Sequence, residues 1–119
     1  TIRQMEQAIQ NLKSAGYDPG RLGVYVLFGL PGQSLDGLEA TLRFVRDLGV
    51  VPNLSYYSPV PGTADFRDMQ ERGVLSVPVN PYETNKMYFL YNKCGLTLDE
   101  VNHVRSIAAR ITGERRRGR

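Results

Sequence analysis

The chain has 119 residues, of which 41% are hydrophobic and 23% charged, the composition of one folded domain with a modest core and not of a disordered segment. No apolar run approaches the roughly 18 residues of a membrane span, which speaks against a spanning helix and a membrane partner. The formal net charge of +3 sits in the tail from Glu114 to Arg119, and without that tail the chain is near neutral. The lone cysteine, Cys94, excludes an internal disulfide or an all-cysteine metal site and fits a reducing, cytoplasmic setting. No secretory signal is visible, although Thr1 is not a natural start and this absence carries little weight.

In chain order, Ile2, Met5, Ile9 and Leu12 recur at helical spacing and predict a first helix, with Thr1 a candidate cap and Gly16 the stop. Leu22 to Phe28 is a short, nearly continuous apolar run, the pattern of a strand buried on both faces. Gly29-Leu30-Pro31-Gly32 breaks it. Ser34 then caps a helix whose stripe is Leu38, Leu42, Val45 and Leu48, and Gly49 ends it. A second strand is expected over Leu54 to Ser58, followed by Pro59-Val60-Pro61-Gly62. Strand, helix and strand make a βαβ unit, so the two strands should be parallel with a right-handed crossover.

Beyond this point the pattern is helical. Thr63 caps a short helix ending before Gly73, and Val74 to Val79 is a proline-interrupted connector. Asn80, with Pro81 at the first helical position and Glu83 after it, predicts a helix carrying Tyr82, Met87, Tyr88, Leu90 and Tyr91. Thr97 and Glu100 form a capping box for a last helix with Val101, Val104, Ile107 and Ile111 on its core face. Two parallel strands with about five helices cannot complete a sheet by themselves. The pattern is that of a piece of a larger α/β protein.

Two turns carry the functional signal. Gly29-Leu30-Pro31-Gly32-Gln33-Ser34 lies between a buried strand's C-terminal end and a helix start, where α/β and barrel folds place ligands. It is neither a P-loop nor a dinucleotide fingerprint. On spacing alone it serves equally as an ordinary βα connection. Ser58-Pro59-Val60-Pro61-Gly62-Thr63 holds the equivalent position after the second strand, and two such turns on one rim favour a shared ligand surface.

From Val24 to Phe66 these features together resemble the last two strands of the radical S-adenosylmethionine (radical SAM) partial (βα)6 barrel. The nearest subgroup holds methylthiotransferases, coproporphyrinogen dehydrogenase-like proteins and cobalamin-binding radical SAM enzymes. The resemblance covers roughly the first 70 residues. It implies an α/β fold, a fragment of a TIM-like partial barrel with two parallel strands, over residues 1–72. Helices over 73–113 would close the barrel or contact substrate, and 114–119 would be a basic tail. It implies that Gly29, Leu30, Pro31 and Gly32 lie against SAM, and that Tyr56, Ser58 and Pro59 enclose the adenine or face the substrate. Tyr56 and Tyr57 point to opposite faces of their strand, so at most one looks inward.

The parent enzyme implied by the resemblance binds SAM and a [4Fe–4S] cluster, with cobalamin a further cofactor of the subgroup. It cleaves SAM reductively to a 5′-deoxyadenosyl radical, acting on a substrate the motifs do not specify. The Cys-x-x-x-Cys-x-x-Cys loop of the family is missing here, and Cys94 alone leaves three irons without protein ligands. The chain as it stands should neither cleave SAM nor hold its cofactors tightly, and it carries no catalytic residue of its own. Its partners would be SAM, the substrate and the rest of its own barrel.

Other residues receive plainer readings. The terminal arginines read first as a solvated end, with RNA the alternative, so a non-catalytic α/β RNA-binding or regulatory module stands as the rival function. His103 reads as solvated, with no partner at ligand spacing. Cys94 reads as a packed small residue. Tyr82, Tyr88 and Tyr91 read as core before substrate pocket, and Asp65, Asp68 and Glu71 as complements to a helix dipole.

Overall fold

The chain folds where its caps and breakers direct it, and the computed structural model describes residues 2–117. The cap expected at Thr1 and the last two residues of the tail lie outside that range. Helix α1 spans Ile2–Ser14; strand β1 spans Gly23–Phe28; helix α2 spans Leu35–Leu48. The Ser34 hydroxyl accepts from Gly37 N at 3.0 Å, and Gly49 closes α2 in the left-handed conformation at φ 79°, where a Cβ would be strained. Strand β2 spans Val51–Tyr56 and pairs with β1 in parallel, Val24 opposite Pro52 and Phe28 opposite Tyr56. The expected mixed α/β architecture with two parallel strands is therefore present.

Three helices follow: α3, Ala64–Glu71; α4, Lys86–Asn92; and α5, Leu98–Arg117. Thr63 caps α3 through Phe66 N. The capping box of α5 is complete, Thr97 N donating to Glu100 at 2.9 Å and Glu100 N to the Thr97 hydroxyl at 3.1 Å. The tail is less separate than expected, because α5 continues through Arg117.

Two boundaries differ from the pattern-based expectation. The second strand begins at Val51 and not at Leu54, with Val50, Val51 and Pro52 all buried. Pro52 is tolerated because of where its nitrogen points. Val51 N donates to Leu22 O and Tyr57 N to Phe28 O, and alternate residues of a strand turn their backbone groups to opposite sides. Odd-numbered residues of β2 therefore bond β1, and Pro52 turns its missing N–H to the outer edge. The helix expected from Asn80 is a 3-10 turn, Pro81–Thr84, and α4 starts afresh at Asn85, whose side chain caps Met87 N and Tyr88 N. Glu83 does not reach back to make a capping box. It is spent on Ser76 N at 3.1 Å and Lys93 Nζ at 3.4 Å.

One core joins these elements. Val26 and Phe28 of β1 meet Leu38, Leu42 and Val45 of α2 and Val101, Val104, Ala108 and Ile111 of α5. Full burial of each large aliphatic or aromatic side chain contributes about 1.5–3 kcal/mol. Helices α2 and α5 cover the sheet face that carries Val24, Val26, Phe28, Leu54 and Tyr56. The opposite face carries Tyr25, Leu27, Asn53 and Ser55, and Tyr25 there is 80% exposed and Leu27 46%. No helix among the described residues is long and apolar enough to cross a membrane.

Candidate functional site

The two glycine- and proline-rich turns emerge side by side. Phe28 and Tyr56 are partners in the ladder, and the hydrogen bond from Tyr57 N to Phe28 O at 2.8 Å carries the pairing one residue further. Gly29 to Gly32 and Ser58 to Gly62 thus leave the same C-terminal rim, as the βαβ reading requires.

The first turn is held by Gln33. Its Oε1 accepts from Gly29 N at 2.9 Å and Leu30 N at 3.1 Å, and its Nε2 donates to Leu27 O at 2.7 Å. Gly29 has φ 97°, and a Cβ there would stand 3.1 Å from Leu90 of α4, so glycine is required by conformation and by space alike. Gly29 is buried, Leu30 and Pro31 are half-buried, and Gly32 is exposed. In the second turn, the Ser58 hydroxyl donates to Thr84 O at 2.6 Å, and Pro59 is buried.

Strand alternation separates the two tyrosines. Tyr56 lies on the helix-covered face, its ring 6.0 Å from that of Phe28 and 5.9 Å from the Arg105 guanidinium, a cation–π distance. Tyr57 falls on the face of Ser55, the open one, and its ring meets Phe89 of α4 edge-on at 5.3 Å. Burial, and then the Asp65 carboxylate, raise the Tyr57 phenol above its ordinary pKa, so it is a neutral hydrogen-bonding group near neutral pH.

The expected site residues therefore divide. Gly29 and Ser58 are engaged by the segment from Thr84 to Leu90, Tyr56 faces the helices, and Leu30, Pro31 and Gly32 remain presented at the rim. The Gly29 and Leu30 amides are taken by Gln33 and are not free to hold a ligand. An iron–sulfur cluster does not fit these residues. Cys94 is buried with its thiol directed to Leu90 O at 3.0 Å, and among the described residues no group of three His, Cys, Asp or Glu side chains converges.

Several features escaped the sequence reading. His103 has a partner, Glu39 of α2, with Nε2 2.8 Å from the carboxylate; a pair 64 positions apart leaves no local signal. Tyr82, Tyr88 and Tyr91 are exposed and not core, Tyr91 accepting a hydrogen bond from Arg105. Arg115 is only partly solvated, since its Nη2 donates to Arg46 O at 2.7 Å and its Nε is buried without a partner. The open face of Tyr25, Leu27, Asn53 and Ser55 was hidden because an all-apolar run looks the same whether one or both sides are covered. Comparison with protein-family models, curated proteins and solved structures returned no match.

Proposed function

We propose that the chain is the C-terminal part of a radical SAM enzyme, forming the last two strands of a TIM-like partial barrel and a wall of its SAM and substrate site. The observation that carries this reading is the one-sided sheet. Helices cover one face, while the other presents Tyr25 and Leu27 to solvent beneath two turns on a single rim. A barrel strand has this disposition, with helices outside and side chains lining the interior. The motif from Val24 to Phe66 supports the reading independently, and so does Pro52, which suits β2 as the terminal strand of an open barrel.

In this reading Leu30 and Pro31 pack against SAM, Gln33 freezes the turn that presents them, and Tyr25, Leu27, Asn53 and Ser55 line the interior. The helices after Gly73 shield the rim, since Leu90 already covers Gly29 and Thr84 holds Ser58. The cluster and SAM supply the radical chemistry from residues outside this chain, with cobalamin a further cofactor of the subgroup. This chain positions and excludes water. The rival RNA-binding reading is weakened by Arg115, which spends a donor on Arg46 O.

The decisive test is the reading frame upstream of Thr1. A Cys-x-x-x-Cys-x-x-Cys motif is expected about 100 to 200 residues earlier, one domain's length. An intact gene without that motif would sink the proposal. A second measurement is NMR titration of the chain with millimolar SAM. Shifts are expected at Leu30, Gly32 and the open face, and shifts at Arg115 to Arg117 with RNA instead would favour the rival.

A further inference from the structure

The outer edge of β2 presents main-chain groups that the sheet does not use. Odd-numbered residues of β2 bond β1, as Val51 N and Tyr57 N show, so Leu54 and Tyr56 turn their N–H and C=O groups to the other side. Pro52 has no N–H to offer there, which confines the usable edge to Leu54 and Tyr56. Beside it runs a groove of about 580 Å³ between β2 and one flank of α5. Asn102, Arg105, Ser106 and Ala109 line that flank at helical spacing, next to the stripe of Val101, Val104 and Ala108 that packs in the core. The groove follows α5 from Asn102 to Thr112, about 15 Å of helix, which is the length of about four or five residues of extended chain.

Among the described residues lining the groove, Arg105 is the only charged one. Its guanidinium lies 5.9 Å from the centre of the Tyr56 ring and donates through Nη1 to the Tyr91 hydroxyl. These contacts hold the group at the edge without neutralising it, and no carboxylate among the described residues pairs with it. The rest of its planar fork of N–H donors matches a carboxylate. Because the fork is already held, less freedom is lost when an anion arrives. A residue set opposite Tyr56 in an added strand turns its side chain to the face of Tyr56, where Arg105 lies. The residues two positions to either side stay on that face, over the uncharged part of the groove.

We propose that the β2 edge from Leu54 to Tyr56 is a docking site for an extended acidic peptide segment of another protein, which adds as a short third strand and places a carboxylate on Arg105. Main-chain bonds to Leu54 and Tyr56 supply affinity, and the Arg105 fork selects Glu or Asp opposite Tyr56. Pro52 ends the ladder and so fixes the register. A small free carboxylate would reach Arg105 but leave Leu54 and Tyr56 unpaired and most of the groove empty, so the shape of the site favours a peptide. In the reading above β2 is a terminal strand. This partner therefore lies outside the barrel, SAM and the substrate, and the proposal goes beyond that reading.

The test needs neither SAM nor a cluster, so either idea can fail while the other survives. The probe is a capped peptide about seven residues long, alternating Thr and Val with Glu in place of the central Val. That pattern reads the same in both strand directions. At millimolar peptide, amide exchange at Leu54 and Tyr56, fast in the free chain, is expected to slow by about tenfold or more, while Asn53 and Ser55 exchange slowly throughout. Gln in place of Glu in the peptide, or Arg105→Gln in the chain, should each weaken binding by about tenfold. The two changes together should weaken it little more than either alone. The Gln peptide needs no variant chain, so it decides the matter even where Arg105→Gln does not fold. The Glu peptide N-methylated at every amide should not bind. Unchanged exchange at Leu54 and Tyr56 overturns the proposal, as does equal protection by the Glu and Gln peptides. A capped glutamate that binds as tightly as the peptide marks a small-anion site and overturns it too. Protection that grows with chain concentration alone identifies a second copy as the occupant and overturns it equally.

Discussion

Glu83 carries a carboxylate into the interior, where its side chain is almost wholly buried. Burial pushes its pKa up, but hydrogen bonds from Ser76 and Lys93, together with the Lys93 charge, outweigh this and hold it below the ordinary value. A depressed pKa in the folded state contributes stability above the unfolded value, about 4.5. That contribution fades as pH falls through the lower folded value. Glu83→Gln should therefore lower the denaturant midpoint at pH 7, and the gap to the parent chain should close toward pH 3 or so. Equal gaps at both pH values would mean that the Glu83 charge has no part in it. The glycines give a second residue-scale prediction. Gly29→Ala meets both a positive φ and Leu90 at 3.1 Å, whereas Gly16→Ala, at φ 98°, meets nothing within 4 Å. The first should destabilise by about 2–4 kcal/mol and the second by about 1–2 kcal/mol, read from urea melts. The Gly29 break was legible in the sequence. Its neighbour Leu90 was not, because 61 positions separate them.

At the scale of elements, local chemistry carried far. The caps at Ser34, Thr63 and Thr97, and the stop at Gly49, formed where side-chain oxygens and glycine were placed to form them. These interactions close within four residues and need no partner from elsewhere. Thr97→Ala should cost about 1 kcal/mol by loss of one half of the box, and Glu100→Ala should add a further loss, because the bond from the residue 97 amide to Glu100 survives the first substitution. A double-mutant cycle reads this directly. Where the elements depart from expectation, a distant group competes. Glu83 was available as a helix cap until Ser76 and Lys93 claimed it, and the helix restarted at Asn85. Pro52 is accommodated within β2 because the ladder's parity places its nitrogen on the outer edge. The Glu39–His103 pair between α2 and α5 lies near the surface, and His103→Ala should move stability by less than about 1 kcal/mol.

At the scale of the molecule, the sheet is covered on one side only, and this asymmetry sorts mutations. Leu42 is completely buried between α2 and the rest of the core, and Leu42→Ala should cost about 2–5 kcal/mol. Tyr25→Lys on the open face should change stability by no more than about 0.5 kcal/mol in thermal or urea melts. If Tyr25→Lys unfolds the chain, that face is covered in solution by something within the chain itself.

Residue order alone determined the βαβ unit, its capped helices and the two turns on one rim, since each depends on periodicity and on bonds that close within a few residues. Only the tertiary structure decided that Tyr56 faces the helices and Tyr57 the open side, because strand alternation separates the two without saying which way either points. It likewise decided that α4 lies over Gly29 and that Gln33 takes the Gly29 and Leu30 amides. Those are contacts between groups brought together by packing, and no spacing along the chain encodes which pair will meet.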